Sequence, residues 1–165
     1  MTASDELDAV FTRLFPRLVG MVSLYCGDRW VAEEIAQETL SRLWEQSSSA
    51  QIDSPDAWTY RVAMNLANSW YRRRSIEHRA RATLRAAAVD GVQHDPDEYL
   101  AVRTALLHLP RRQRQAIVLR YYADLSVDAT AEVMRCAPGT VKAHTHKALA
   151  ELGRAGLVEE ERVDG

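Results

Sequence analysis

The sequence predicts an all-α protein of two small helical domains, a helical bundle and a helix-turn-helix domain, joined by a flexible linker. Apolar residues recur at spacings of three and four almost everywhere, and no stretch alternates as a strand would. The composition is globular, with 47% hydrophobic and 27% charged residues and only 7 Gly and 5 Pro. A length of 165 residues excludes a large multidomain enzyme.

The first helix is predicted from an apolar stripe at helical spacing, in which Pro16 should kink or divide the helix. The stripe contains Leu7, Val10, Phe11, Leu14, Leu18, Val22 and Tyr25. Asp28 is a suitable N-cap for a second helix, which runs to a loop at 47–50. The predicted buried face of the second helix consists of Ala32, Ile35, Ala36, Leu40, Leu43 and Trp44.

The third helix is expected to begin at Ser54 and Pro55, a cap residue followed by a proline at the first helical position. Its predicted core face is formed by Trp58, Val62, Leu66 and Ser69. We assign residues 1–85 to the first domain. The small, acidic stretch 86–97, which contains Gly91, is the expected linker.

Four shorter helices are predicted beyond the linker, in a second domain of residues 98–155 that is followed by an acidic tail, 156–165. Pro96 can start the first of these helices. The predicted segments are Leu100 to Leu109, Arg111 to Tyr122, Val127 to Met134 capped by Ser126, and a last helix from Pro138 through Leu152.

The net charge of -2 conceals segments of opposite sign. Residues 1–60 carry ten acids and four bases, whereas residues 61–85 carry seven arginines and one acid. Residues 86–110 are acidic, and residues 111–147 carry seven bases and three acids. Two basic segments separated by an acidic spacer indicate two contacts with a polyanion. Charge alone leaves open the alternative of two solvated helix faces.

The last two helices have the proportions of a helix-turn-helix, with 135–137 as the connection. Residues predicted on the buried side of the second helix are Val141, Thr145, Ala148, Leu149 and Leu152. The outward face then contains Gly139, Thr140, Ala143, His146 and Lys147, with Lys142 and His144 on its flanks. This face is small, polar and cationic, as entry into the major groove requires. The alternative is an ordinary helical hairpin with a solvated face.

The turn has one unusual residue. A helix-turn-helix often places Gly there, whereas Arg135 would have to adopt the left-handed conformation at a cost of roughly 1 kcal/mol.

The third helix combines aromatic and basic residues, a composition that suits single-stranded nucleic acid. Its aromatic residues Trp58, Tyr60, Trp70 and Tyr71 are interleaved with Arg61 and the triplet Arg72, Arg73 and Arg74. Tyr60 and Tyr71 are predicted to point outward, with Asn65 and Asn68 nearby, where they could touch unpaired bases. The alternative is that these are ordinary exposed tyrosines, which are common on helices.

No catalytic centre, cofactor site or metal site is predicted. The sequence has no P-loop, GxSxG or HExxH motif, and the i, i+2 spacing of His144 and His146 places them on different sides of a helix. Cys26 and Cys136 form no CxxC pair, which fits a reducing cytoplasm. The acidic N-terminus and short uncharged stretches predict a cytoplasmic protein without membrane insertion.

Read in order, these segments resemble the sigma-70 family of bacterial RNA polymerase initiation factors, in the extracytoplasmic-function (ECF) subgroup that keeps only regions two and four. The resemblance runs from about Asp5 to Ala155. Its motifs are DRWVAEEIAQETLSRLW (28–44), SPDAWTYRVAMNLAN (54–68), LPRRQR (109–114) with LRY (119–121), and LS (125–126) followed by GTVK (139–142).

The resemblance implies a sigma factor that is not an enzyme, binds core RNA polymerase, recognises the minus-ten and minus-thirty-five promoter elements and promotes DNA melting. Residues implied to bind the largest polymerase subunit are Glu33, Glu34, Gln37, Glu38 and Arg42. Those implied to bind minus-ten DNA are Tyr60, Arg61, Asn65, Asn68, Tyr71, Arg72, Arg73 and Arg74, together with the loop 47–53. Those implied to bind minus-thirty-five DNA are Thr140, Lys142, Ala143, His144, His146 and Lys147.

The resemblance also implies contact of region four with the flap of the second-largest subunit, and it leaves an anti-sigma factor as a further candidate partner. The sequence departs from the family pattern at Ala129 (usually Glu), Arg135 (usually Gly), Ala143 and His144 (usually Ser-Arg) and Lys147 (usually Arg). These departures leave open which minus-thirty-five sequence the protein recognises. Two rival interpretations are a dimeric helix-turn-helix repressor or activator, and a protein-interaction adaptor without DNA binding.

Overall fold

The computed structural model of the protein describes residues 2–48, 52–80 and 97–157. The described part is helical and contains no strand, so the all-α prediction is confirmed. The chain divides into two compact units, one of Met1–Val22 and Asp28–His94, and one of Ser23–Gly27 and Asp95–Gly165. The predicted linker falls almost wholly in 81–96, and the predicted tail mostly in 158–165, which lie outside the described residues.

Helix α1 (Ala3–Cys26) is continuous, so the predicted division at Pro16 does not occur. Pro16 lies on the exposed side of the helix, where water can bind the carbonyl that loses its intrahelical donor. The opposite face is core, and Leu14 and Leu18 are completely buried. In the described chain, α1 is the one helix long and apolar enough to cross a membrane, and 44% of its apolar window is buried within the fold.

Helix α2 (Arg29–Ser47) begins where Asp28 predicts. The Asp28 carboxylate accepts a hydrogen bond from the Val31 amide at 3.1 Å. The predicted buried face is confirmed except for Trp44, whose side chain is 46% exposed. The Trp44 ring lies 6.0 Å from that of Phe11, so it covers the edge of α1 instead of entering the core.

Helix α3 (Pro55–Ala80) also begins as predicted, with the Ser54 hydroxyl accepting a hydrogen bond from the Ala57 amide at 3.3 Å. Its predicted core face is wrong, because Trp58, Val62, Leu66 and Ser69 are only half-buried. The buried stripe consists of Thr59, Tyr60, Ala63, Met64 and Ala67. Packing against the other helices of the unit, α2 among them, decides which side of α3 is buried, and the small Ala63 and Ala67 share that side with the larger Tyr60 and Met64.

The second unit contains α4 (Asp97–His108), α5 (Arg111–Ile117), α6 (Val127–Met134) and α7 (Pro138–Arg154). The predicted helix from Arg111 to Tyr122 ends differently, because Val118–Tyr122 forms a π-helical turn closed by a hydrogen bond from the Ala123 amide to the Val118 carbonyl at 3.0 Å. Both α5 and α6 pack against α7. The core of this unit therefore forms around the inner face of α7.

Candidate nucleic-acid and protein interfaces

The turn between α6 and α7 has the conformation that the sequence predicts. Arg135 is left-handed, with φ 54° and ψ 50°, and its amide hydrogen-bonds the carbonyls at the end of α6. The Cys136 amide also donates to the Ala131 carbonyl at 3.1 Å. These bonds close α6 and reverse the chain within three residues, which is the geometry that a helix-turn-helix needs.

Arg112 braces this turn from α5. Its guanidinium donates to the Met134 carbonyl at 2.8 Å and to the Gln115 side-chain oxygen at 2.7 Å. Sequence reasoning counted Arg112 only as part of a basic segment. The glutamine one turn further along α5 was the available signal that this arginine is held inside the protein.

The predicted faces of α7 agree with the observed burial. Val141 and Ala148 are completely buried and Leu152 is 6% exposed, while Thr145 and Leu149 are half-buried. The residues of the outward face are exposed, namely Gly139, Thr140, Ala143, His146 and Lys147, and so is Lys142 on its flank. No atom outside the local backbone lies within 4 Å of a β-carbon built at Gly139, so the start of α7 is open to a ligand.

His144 is half-buried on the flank of this face. Burial, reinforced by the positive charges of Arg112 and Lys147, lowers the pKa of His144 below its ordinary value of 6.5. His144 is therefore neutral near pH 7. Lys142 and Lys147 add positive charge beside and on the outward face.

The C-terminal half of α3 carries a cluster of arginines and aromatic rings. Arg72, Arg73 and Arg74 are exposed. The Arg74 guanidinium lies 5.1 Å from the centre of the Trp70 ring, and the Trp70 and Tyr71 rings meet edge to face at 4.8 Å. Cation–π stacking and edge contacts hold the two rings beside the charged groups. The cluster thus presents stacking surface and positive charge together.

The predicted outward orientation of Tyr60 is wrong. Its side chain is 2% exposed, and burial raises the pKa of its hydroxyl above the ordinary value of 10.0. Tyr71 and the two asparagines of the predicted set, Asn65 and Asn68, are half-buried, whereas Arg61 is exposed. Tyr60 contributes to the packing of α3 and offers no face on which a base could stack.

The start of α3 is fixed to α1 by an ion pair that sequence reasoning missed. The Arg13 guanidinium donates two hydrogen bonds to the Asp56 carboxylate, both at 2.7 Å. This pairing lowers the pKa of Asp56 and raises that of Arg13. A bidentate arginine–carboxylate pair has a defined geometry, so it orients the first turn of α3 as well as holding it.

The outward face of α2 is acidic. Glu34, Gln37, Glu38 and Arg42 are exposed, and Glu33 is half-buried. Arg42 pairs with Glu38 at 2.7 Å, and Arg29 pairs with Glu33 at 3.3 Å. The same helix exposes 72% of Trp30, which sequence reasoning did not single out.

Within the described residues, no three His, Cys, Asp or Glu side chains are arranged to hold a metal ion. A groove of about 1010 Å³ lies in the second unit between α4 and α7. Its lining includes Leu100, Leu109, Leu152 and Leu157 with His146 and Lys147 at one side.

Two family models match the chain, one over its N-terminal helices and one over its C-terminal helices. The model described as Sigma-70 region 2 matches residues 10–76. The model described as Sigma-70, region 4 matches residues 99–152. The first match includes α2 and nearly all of α3, and the second runs from α4 to the end of the helix-turn-helix.

Curated relatives extend the match over most of the chain. The RNA polymerase sigma-E factor of Streptomyces antibioticus is 30% identical over 124 residues, covering 73% of this chain and 68% of the relative. The ECF RNA polymerase sigma factor SigL of Mycobacterium tuberculosis is 30% identical over 156 residues, covering 90% of this chain and 83% of the relative.

A solved structure has the same fold. It is the sigma factor RpoE in complex with the anti-sigma factor NepR from Bartonella quintana, with a TM-score of 0.79 and 23% identity, covering 94% of this chain and 99% of that one. That likeness shows the fold, while the region 2 and region 4 matches and the identity to sigma-E and SigL place the chain in the sigma-70 family of RNA polymerase sigma factors, in its ECF subgroup.

Proposed function

We propose that this sigma factor initiates transcription through three separate faces, one on each of α2, α3 and α7. The exposed acidic face of α2 docks on the largest subunit of core RNA polymerase. The arginine–aromatic cluster of α3 holds the minus-ten element as it opens, and the outward face of α7 reads the minus-thirty-five element. The protein has no catalytic activity of its own and acts in the cytoplasm, where the polymerase performs the chemistry.

The observation that carries this proposal is the helix-turn-helix of the second unit. Its left-handed turn at Arg135, its N-cap at Ser126 and its exposed outward face on α7 are the features by which a helix enters the major groove. A helical hairpin without a nucleic-acid role would not require a small, cationic outward face. In the same unit, the apolar part of the α4–α7 groove, lined by Leu100, Leu109, Leu152 and Leu157, is the surface that we propose for the flap of the second-largest subunit.

On α3, the proposal rests on Tyr71 and on the arginines that follow it. The Trp70–Tyr71 pair is half-buried, so part of each ring remains accessible for stacking on a base. Stacking contributes roughly 1 to 3 kcal/mol per base, and only after the bases are unpaired. The α3 cluster therefore favours open over closed promoter DNA. Tyr60 takes no part in this contact because its side chain is buried.

A partner that inhibits the protein is also proposed. The relative of known structure, RpoE, was solved in complex with the anti-sigma factor NepR. The domain division 1–85 and 98–155, with a linker at 86–97 and a tail at 156–165, gives two units that one such partner could engage. We propose an anti-sigma factor that competes with core polymerase for this chain.

The experiment is reconstituted transcription with purified core polymerase, using one variant for each helix face. Glu34, Gln37 and Glu38 changed together to Ala should abolish binding to core while helical content is retained, because exposed substitutions change stability by no more than about 0.5 kcal/mol. Tyr71→Ala with Arg72→Ala should impair opening of duplex promoter but not transcription from a pre-melted template. A wild-type protein that does not direct initiation by core would contradict the proposed function.

A further inference from the structure

The exposed face of α2 contains two tryptophans as well as the acidic side chains. Trp30 is 72% exposed and Trp44 is 46% exposed. With about 100° between successive helical residues, Gln37, Ser41 and Trp44 lie within about 40° of Trp30 around the helix axis. Thr39, on the opposite side of the helix, is completely buried. Trp30 thus lies on the midline of the face that α2 turns away from its own core, at the N-terminal end of the helix.

The two tryptophans stand at opposite ends of the acidic patch. They are fourteen positions apart, which is about 21 Å along an α-helix. Trp44 is held by its contact with the Phe11 ring, at 6.0 Å between centroids. Trp30 is the more exposed ring, at the first turn of the helix. Between them lie Glu34, Gln37 and Ser41, all exposed.

We propose that Trp30 is an aromatic anchor of the polymerase interface, inserted into an apolar pocket on the core surface that the acidic face of α2 contacts. This inference rests on the proposed docking role of α2. Tryptophan is enriched in protein interfaces and among the residues that dominate binding, because burial of its ring excludes water from neighbouring polar contacts. The flanking carboxylates predict basic side chains around that pocket.

Trp30 supplies apolar surface for burial, which the charged residues of α2 cannot provide. Exposed ion pairs contribute little binding free energy because solvent screens them, and two of the face's carboxylates, Glu33 and Glu38, are already paired within the helix. A tryptophan ring buries roughly 150 to 250 Å² when covered. Both contributions are therefore needed for binding: the acidic side chains orient the complex and exclude other docking geometries, and Trp30 adds apolar burial that they do not provide.

The test is the dissociation constant of the full-length protein for core polymerase, measured for Trp30→Ala. The expected increase is at least about 30-fold, the effect of an interface residue that dominates binding. Trp30→Phe should recover most of the affinity because it keeps an aromatic ring. The matched control is Ile76→Ala, since Ile76 is 68% exposed on α3 and lies outside the α2 face. It should bind core as the wild type does.

A second measurement avoids substitution altogether. In wild-type protein labelled with 5-fluorotryptophan, the Trp30 fluorine resonance should shift and lose its solvent-isotope effect when unlabelled core is added. Binding by Trp30→Ala within about threefold of wild type, or an unchanged Trp30 resonance in the complex, overturns the anchor role.

The charged-face variant separates this inference from the proposed function. If Glu34, Gln37 and Glu38 changed to Ala abolish core binding while Trp30→Ala does not, the docking face stands and the anchor is wrong. If the charged-face variant binds core normally, the docking face is wrong and the anchor is rejected with it.

Discussion

Tyr60 and Tyr71 show how little the identity of a residue says about its exposure. Both are tyrosines on α3, and the sequence places both opposite Trp58. The structure buries Tyr60 to 2% exposure and leaves Tyr71 half-exposed beside Trp70 and Arg74. Because the two positions lie within about 20° of each other around the helix axis, the difference arises along α3: its buried stripe ends at Ala67, before Tyr71.

Lys142→Ala and Lys147→Ala should weaken DNA binding in two different ways. Lys142 lies on the flank of α7, where a long side chain reaches phosphate, so Lys142→Ala should weaken binding about equally on all upstream sequences. For this variant, the slope of the logarithm of the binding constant against the logarithm of the salt concentration should become shallower by roughly one unit. Lys147 lies on the outward face and can donate to guanine. Lys147→Ala should therefore cost roughly 1 to 3 kcal/mol only on templates with the preferred base.

The measurement is binding of holoenzyme to a library of randomised minus-thirty-five elements. Wild-type holoenzyme on the same library is the reference. If Lys147→Ala weakens binding equally on all sequences, or if Lys142→Ala changes the base preference, then α7 is oriented on DNA differently from this prediction.

At the scale of elements, the α6–α7 turn is the clearest agreement between sequence and structure. Ser126, Pro138 and the left-handed Arg135 all occur where local rules place them. The π-helical turn at Val118–Tyr122 was not predicted, because its extra residue per turn breaks the periodicity on which helix assignment depends. The hydrogen bond from Arg112 to the Met134 carbonyl was also not predictable from the sequence, since the acceptor is a backbone atom.

The strain at the turn gives a stability prediction. Arg135→Gly should stabilise the second unit by roughly 1 kcal/mol, because glycine adopts the left-handed conformation without a steric cost. Hydrogen exchange of the α6 and α7 amides measures the change in local opening. The control is Glu132→Gly, at an exposed position inside α6, which should destabilise by about 1 kcal/mol. Faster exchange in Arg135→Gly would mean that the arginine side chain stabilises the turn.

At the scale of the whole molecule, the charge distribution limits what the free protein can do. The net charge of -2 opposes approach to DNA, while each basic segment offers only a few phosphate contacts. We expect the free protein to bind promoter duplex at least about 100-fold more weakly than the complex with core does, because core makes the second contact intramolecular. Core alone on the same duplex is the control.

Fluorescence anisotropy of a labelled promoter, at one fixed salt concentration, measures both affinities. Tight binding by the protein alone with two-fold symmetric protection would instead support the dimeric helix-turn-helix rival. A dimer binding a palindrome gives symmetric half-sites, whereas a sigma factor contacts two different elements.

Local patterns in the sequence determined the helices and their caps, because an N-cap, a helical proline and a left-handed turn each depend on a few neighbouring residues. They also placed the outward face of α7, since that helix has a single apolar stripe and hence a single way to pack. Tertiary structure alone decided which side of α3 is buried, the Arg13–Asp56 pair and the exposure of Trp30. Each of these depends on residues distant in sequence, so no local rule could supply them.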